Sequence, residues 1–235
     1  MQCLILAGGL GTRMRLVAGT LPKAILPVGG EPFAHHQLRW LARQGVQRVV
    51  YSIGYGGDQI RAAVGDGSPF GLRIDWCDEG SDLRGTGGAV RLACDRGLME
   101  PRFLLLYGDS WLPIEIGPVW AHAVALDRNV MTVIRNEGRW DRSNAIFADG
   151  MVSRYDKRTP SPDAAGMRYI DYGLSVFLRK TVMELIPRDQ PCDLADMLTK
   201  LSEAGDLCGF EVFQRFYEIG SPEGLEEVRA LISGI

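Results

Sequence analysis

A chain of 235 residues, 46% of them hydrophobic, can bury a substantial core and falls in the range of one large domain. Its 26 basic and 29 acidic residues are interspersed and sum to a formal charge of −3, which leaves no cationic stripe for a polyanion and argues against nucleic acid as a partner. Cys3, Cys77, Cys94, Cys192 and Cys208 lie far apart with no Cys-x-x-Cys pair, against both a disulfide framework and a zinc site. The apolar start Met1 to Leu6 is too short for a membrane span and lacks the basic opening of a signal peptide, so a cytoplasmic protein without a membrane partner is expected.

Short apolar runs recur along the first half: Cys3 to Leu6, Val49 to Ile53, Leu72 to Trp76, Phe103 to Tyr107 and Val130 to Ile134. Helical patterns lie between several of them, at Phe33 to Gln44, Asp58 to Val64, Gly88 to Cys94 and Pro118 to Leu126. Such alternation predicts a parallel sheet flanked by helices. After about Asn136 the pattern shifts to shorter strands, Ala145 to Ala148, Val152 to Tyr155 and Ser175 to Leu178, with Asp149-Gly150 as a turn, and these should extend the same sheet. Thr159 to Gly166, rich in Pro, Ala and Asp, reads as a loop. Two helices follow, Leu194 to Ala204 and Pro222 to Ile232, the second with Ser221 as N-cap and Gly234 near its end. His35, His36 and His122 have no ligand spacing and read as packing or surface residues.

Directly after the first strand stands Leu6-Ala7-Gly8-Gly9-Leu10-Gly11-Thr12-Arg13-Met14, with Pro22-Lys23 further on. Glycines there let backbone N–H groups wrap phosphate oxygens, and Arg13 and Lys23 add the positive charge that triphosphate chemistry needs. A dinucleotide fingerprint is excluded because Met14 stands where its third glycine would be, and there is no Gly-Lys-Ser/Thr P-loop. Asp109, in Gly108-Asp109-Ser110, lies at the carboxyl end of a strand, where open α/β sheets bind ligands and a hard oxygen suits Mg²⁺.

The Gly-Gly-x-Gly-Thr-Arg-Met segment with its later Pro-Lys resembles the signature of sugar-nucleotide pyrophosphorylases, with Leu16 and Ala24 standing where prolines are commonest. The resemblance implies a loop of Leu6, Ala7, Gly8, Gly9, Gly11, Thr12 and Arg13 around the nucleotide, Arg13 on the leaving phosphates and Lys23 on the reacting phosphate. It implies Mg²⁺ on Asp109 and on Glu218, since Phe216-Tyr217-Glu218-Ile219-Gly220-Ser221-Pro222 matches a segment in which the family carries an aspartate. Lys157 falls where the family has a lysine for the sugar phosphate. Asp171 and Gly173 fall in the segment lining the sugar pocket, with Asn144 near another sugar position.

The run from Asp78-Glu79-Gly80 to Leu83-Arg84-Gly85-Thr86-Gly87-Gly88 resembles the family's segment for base and sugar. Its glycines would let the backbone approach the base and leave amides free to bond it, placing Gly85, Thr86 and Gly108 on the nucleotide and Gly87 on the sugar. A carboxylate at Glu79 can accept two bonds from guanine, against one from uracil or thymine, which favours GTP; Glu79 could also face the sugar or solvent.

The resemblance thus implies one Rossmann-like nucleotidyltransferase domain, α/β, with a mixed, mainly parallel sheet. Residues 1–135 would serve mainly the nucleotide and 136–235 mainly the sugar phosphate. The expected catalytic set is Arg13, Lys23, Asp109 and Lys157, the cofactor Mg²⁺, and the partners an NTP and a sugar 1-phosphate, with a homodimer as an option. GTP with a heptose or mannose-type 1-phosphate is the first expectation. UTP, dTTP or CTP with another sugar or alcohol phosphate, and a catalytically silent sugar-nucleotide sensor, are the alternatives. The compact form is similar to bacterial heptose 1-phosphate guanylyltransferases and N-acetylmuramate 1-phosphate uridylyltransferases, and a single activity is expected.

Overall fold

The computed structural model describes residues 1–9, 11, 19–136 and 138–234. Thr12 and Arg13, two of the residues singled out above, lie outside the described residues.

In chain order the elements are β1 (Gln2–Leu6), a short turn of 3-10 helix (Lys23–Ile25), β2 (Pro27–Val28), β3 (Glu31–Pro32), α1 (Phe33–Arg43), β4 (Arg48–Ile53) and α2 (Gly57–Val64). Then come β5 (Arg73–Asp78), α3 (Gly85–Asp95), β6 (Arg102–Tyr107), β7 (Ser110–Trp111), α4 (Ile116–Leu126), β8 (Asn129–Arg135), β9 (Ala145–Ala148) and β10 (Met151–Tyr155). The chain continues with β11 (Tyr169–Leu178), α5 (Arg179–Leu185), α6 (Leu194–Glu203), β12 (Leu207–Val212), β13 (Tyr217–Glu218) and α7 (Pro222–Ser233). None of the helices among the described residues is long and apolar enough to cross a membrane.

Strands β1, β4 and β6 are apolar on both faces because helices cover both. Cys3, Ile5, Tyr51, Leu104 and Leu106 pack with α1, α2, α4 and α7 on one side of the sheet. Their neighbours Leu4, Val50, Phe103 and Leu105 pack with α3, α5 and α6 on the other. A period of two with apolar residues at both phases is therefore what a doubly covered sheet requires. All five cysteines are unpaired, four of them buried among these side chains.

The large sheet has the order β5-β4-β1-β6-β11-β8-β12-β10-β9. β5, β4, β1 and β6 run parallel, and the chain leaves β1 for β4 on one side before returning to β6 on the other. The carboxyl ends of β1 and β6 consequently face a crevice at a topological switch point, with Leu6 level with both Ser52 and Tyr107.

The expectation of a mainly parallel sheet holds only for this half. Beyond β6 the ladders β6–β11, β11–β8, β12–β10 and β10–β9 are antiparallel, and only β8–β12 is parallel. β9 also pairs back onto β11 through Ala145 and Tyr169, so β11, β8, β12, β10 and β9 close on themselves like a small barrel. For the β9–β10 ladder the physical reason is connection length. β9 and β10 are joined by Asp149-Gly150 alone, both with positive φ, a turn that permits only antiparallel pairing.

Strand β11 begins six residues earlier than its apolar run suggests, because Asp171 to Ser175 contains a register shift against β8 with Gly173 at φ 99°. Strand β12 was hidden by Gly209, whose place leaves no room for a side chain: a Cβ there would lie 2.4 Å from the Phe147 ring.

Candidate active site

The crevice between β1 and β6 holds a cavity of about 280 Å³. Its walls are the glycine loop after β1, Lys23, the segment from Glu79 to Thr86, and Tyr107-Gly108-Asp109 after β6. Gly108 allows these walls to meet: its N–H donates to Leu6 O at 2.9 Å, and a Cβ would lie 3.0 Å from the Ala7 methyl. Leu6, Ala7, Gly8, Gly9, Gly11, Glu79, Gly85, Thr86 and Gly108 all line this one space, whereas Gly87, the third residue of α3, is not among its lining residues.

Glu79 rests on the glycine loop. A Cβ on Gly8 would come within 2.7 Å of Glu79 Oε1, while Oε2 accepts the Arg84 N–H at 2.8 Å. Burial pushes the Glu79 carboxyl above its usual range, with that N–H pulling the other way. One oxygen is thus engaged by the protein itself and the other is turned to the loop.

The following glycines serve a contact that their sequence did not announce. Gly87 N–H and Gly88 N–H both donate to Cys192 O, at 2.9 and 3.2 Å, so these amides are taken by the chain rather than left for a base. Gly85 has φ 70°, and a Cβ there would lie 2.6 Å from the same carbonyl oxygen. Gly85→Ala should therefore cost on the order of 2 kcal/mol or more, from the left-handed backbone and the close contact together; urea unfolding would read it.

At the mouth of the cavity three charged groups converge. Lys23 Nζ donates to Asp109 Oδ2 at 2.8 Å. The two-stranded ladder of β7 and β13 sets Glu218 opposite Ser110, and Ile219 N–H donates to Asp109 O at 2.9 Å. A Cβ on Gly220 would stand 3.6 Å from Lys23 Nζ, 3.7 Å from Glu218 Oε2 and 4.0 Å from Asp109 Oδ2. Gly224 lets α7 start against this strand, for a Cβ there would lie 2.1 Å from Glu218 O. Asp109 and Glu218 are thus brought together as a pair of hard oxygen donors that could hold a divalent cation.

Beyond Tyr107 lies the other half of the site. Lys157 Nζ donates to Asp193 Oδ2 at 2.5 Å, and Asp193 caps α6 by accepting from Ala195 N–H at 3.0 Å. Burial tends to raise the Asp193 carboxyl, but Lys157 and the capping N–H outweigh it and hold it below its usual range. Asp171 Oδ1 accepts from Gly173 N–H at 2.9 Å across the bulge of β11, and burial pushes its carboxyl up to about 6 despite the charge of Lys157. Asn144 uses its carbonyl to accept the Asp171 N–H at 2.9 Å, so it braces the bulge that presents Asp171. The Tyr107 phenol is held neutral by burial and then by the charges of Asp171, Asp193, Asp109 and Glu218, which places it between the two halves.

Sequence reasoning missed three of these groups: Tyr107 as the shared floor, Gly220 at the meeting point of the charges, and Asp193. Only Asp193 carried a local signal, an aspartate just before an apolar helical run, which marks an N-cap but says nothing of the lysine that it binds.

The family model described as a MobA-like NTP transferase domain matches residues 3–205. The chain belongs to this family. Among relatives, it is 32% identical over 232 residues to N-acetylmuramate alpha-1-phosphate uridylyltransferase of Neisseria meningitidis serogroup B, covering 98% of each chain. It is 28% identical over 147 residues to D-glycero-alpha-D-manno-heptose 1-phosphate guanylyltransferase of Aneurinibacillus thermoaerophilus, covering 63% of this chain and 63% of the relative. The match thus spans less than two thirds of that relative's length. The crystal structure of HddC from Yersinia pseudotuberculosis complexed with GMP-PN superposes with a TM-score of 0.81 at 25% identity, over 98% of this chain and 99% of that one.

Proposed function

We propose that the protein is a Mg²⁺-dependent nucleotidyltransferase that joins a nucleoside monophosphate to a sugar 1-phosphate and releases pyrophosphate. The observation that carries this reading is the convergence of Lys23, Asp109 and Glu218 around Gly220 at the mouth of the switch-point cavity. Two carboxylates, with no group of three or more His, Cys, Asp or Glu side chains placed to hold a metal among the described residues, suit Mg²⁺, which keeps water and takes substrate phosphates as its remaining ligands. When bound, the ion would neutralise charge on the triphosphate.

The glycine loop would hold the triphosphate by its backbone amides, with Lys23 reaching the α-phosphate once it exchanges Asp109 for substrate. Arg13 would bind the leaving phosphates. Lys157 would hold the phosphate of the acceptor, whose oxygen attacks the α-phosphorus in line with the departing pyrophosphate. No protein nucleophile is required, since holding two anions in register and balancing their charge lowers the barrier. Asp171, on its braced bulge, would accept hydrogen bonds from sugar hydroxyls. Residues 1–135 supply the nucleotide cavity and 136–235 most of the acceptor side.

GTP with a heptose or mannose-type 1-phosphate is the favoured pair, supported by the guanylyltransferase relative and by the GMP-PN ligand named for the Yersinia protein. UTP is the second reading, favoured by the uridylyltransferase that aligns over nearly the whole chain and by the engagement of Glu79 with Arg84. The test is Mg²⁺-dependent pyrophosphate release across GTP, UTP, CTP, dTTP and ATP, each with heptose, mannose, glucose and N-acetylated sugar 1-phosphates. Release with one pair establishes the transferase and its substrates. Tight binding of a sugar nucleotide with no release from any pair would instead identify a sensor.

A further inference from the structure

The segment lining the nucleotide cavity and the turn that carries Lys157 meet at one side chain, Asp193. Its Oδ2 accepts from Lys157 Nζ, and its Oδ1 accepts from the Thr86 hydroxyl at 3.2 Å as well as from the capping Ala195 N–H. The Thr86 oxygen in turn accepts the Leu194 N–H at 2.9 Å.

The backbones beneath are locked together. Cys192 O takes the amides of Gly87 and Gly88, and Cys192 N–H donates to Arg84 O at 2.9 Å. Arg84 N–H reaches Glu79, which rests on Gly8. One continuous run of contacts therefore links the glycine loop after β1 to the cation on the acceptor side.

Capping α6 needs only one oxygen of Asp193. Its second oxygen is committed to a lysine 36 residues away, in a half-exposed ion pair of the kind that adds little to stability. Lys157, on a flexible four-carbon stem, gains from this pair a defined place rather than a stronger fold.

We infer that Asp193 is a positioning residue that sets the Lys157 ammonium relative to the nucleotide segment, so that a bound nucleotide tightens binding of the acceptor phosphate. The inference rests on reading Lys157 as the acceptor-phosphate cation. Binding energies couple reciprocally, so the acceptor tightens nucleotide binding by the same factor.

Asp193→Asn separates the two roles of the residue. Asparagine caps a helix as well as aspartate does and keeps an oxygen for Thr86, but it removes the charge that holds Lys157. With the substrate pair returned by the pyrophosphate assay, Asp193→Asn should raise the KM for the sugar 1-phosphate about tenfold. The Kd of the nucleotide alone and the Tm should stay at their unaltered values. Acceptor binding, which a non-hydrolysable analogue of that NTP strengthens in the unaltered protein, should lose most of its dependence on the analogue. In a Lys157→Met background, Asp193→Asn should add nothing further to the acceptor KM. Unchanged acceptor KM and coupling in Asp193→Asn, or a full additional loss on top of Lys157→Met, would overturn the inference while leaving the transferase intact. Silence of the unaltered protein with every substrate pair would overturn the transferase reading and this inference with it.

Discussion

Asp109→Ala is expected to reduce pyrophosphate release by about 10³-fold or more, roughly 4 kcal/mol of transition-state stabilisation, while leaving the fold in place. Two losses combine. The substitution removes one of the two carboxylates that meet at Gly220, and it releases Lys23 from the oxygen that now fixes it at 2.8 Å. Neither loss touches the core: the Asp109 side chain is 30% exposed, and the backbone carbonyl that accepts the Ile219 N–H is unaltered. Thermal unfolding should therefore move little, since a pair that remains in partial contact with solvent contributes on the order of 1 kcal/mol. Near-normal turnover by the folded variant would remove Asp109 from the site.

The second large effect is a trade of stability against acceptor binding at Asp171. Its carboxyl is raised to about 6 in the folded protein and would titrate near 3.9 in the unfolded chain. Between these values the folded state binds more protons than the unfolded state, so stability falls as pH rises through the interval and is level above it. The full cost of the buried charge at pH 8 is about 3 kcal/mol, reduced to the extent that solvent reaches the group.

Asp171→Asn has no such titration and keeps an oxygen for the Gly173 N–H. Relative to the unaltered protein it should be more stable by about 2 kcal/mol at pH 8 and equal to it below pH 4. The same change should raise the KM for the sugar 1-phosphate by about tenfold, because hydrogen bonds to a charged acceptor are stronger than those to an amide. Parallel stability curves for the two proteins from pH 4 to pH 8 would show that Asp171 does not carry a strained buried charge. A site residue that weakens its own fold is common where function requires a charge away from water.

Most of the longer elements of the first half were legible because β1, β4 and β6 are dominated by apolar residues and α1 and α2 carry apolar positions at helical spacing. The second half was less so. Strand β11 is broken by the Asp171 to Gly173 bulge, and β12 is interrupted by Gly209, which must be small because Phe147 crosses it. α5 carries Arg179, Lys180 and Glu184 among its seven residues and offers little apolar periodicity. Within the site, the glycine loop, Lys23 and Asp109 were recognisable as chemistry, whereas Glu79 and the glycines from Gly85 to Gly88 were read as free for a ligand and are in part engaged by Arg84 and Cys192.

The order of apolar runs and turn formers determined, by itself, a sheet covered by helices with a glycine-rich loop after its first strand, because burial periodicity and backbone permission are recorded over a few neighbouring residues. Which charges meet could not be written there. Lys23 and Asp109 are 86 residues apart, and Thr86 and Asp193 107 apart. Their encounter depends on the switch point between β1 and β6, the small β7–β13 ladder and the seating of α6 against α3. The closure of β9 onto β11 and the burial that lifts the Asp171 carboxyl are likewise properties of the assembled surfaces, since solvent exclusion and long-range pairing arise only when distant segments pack.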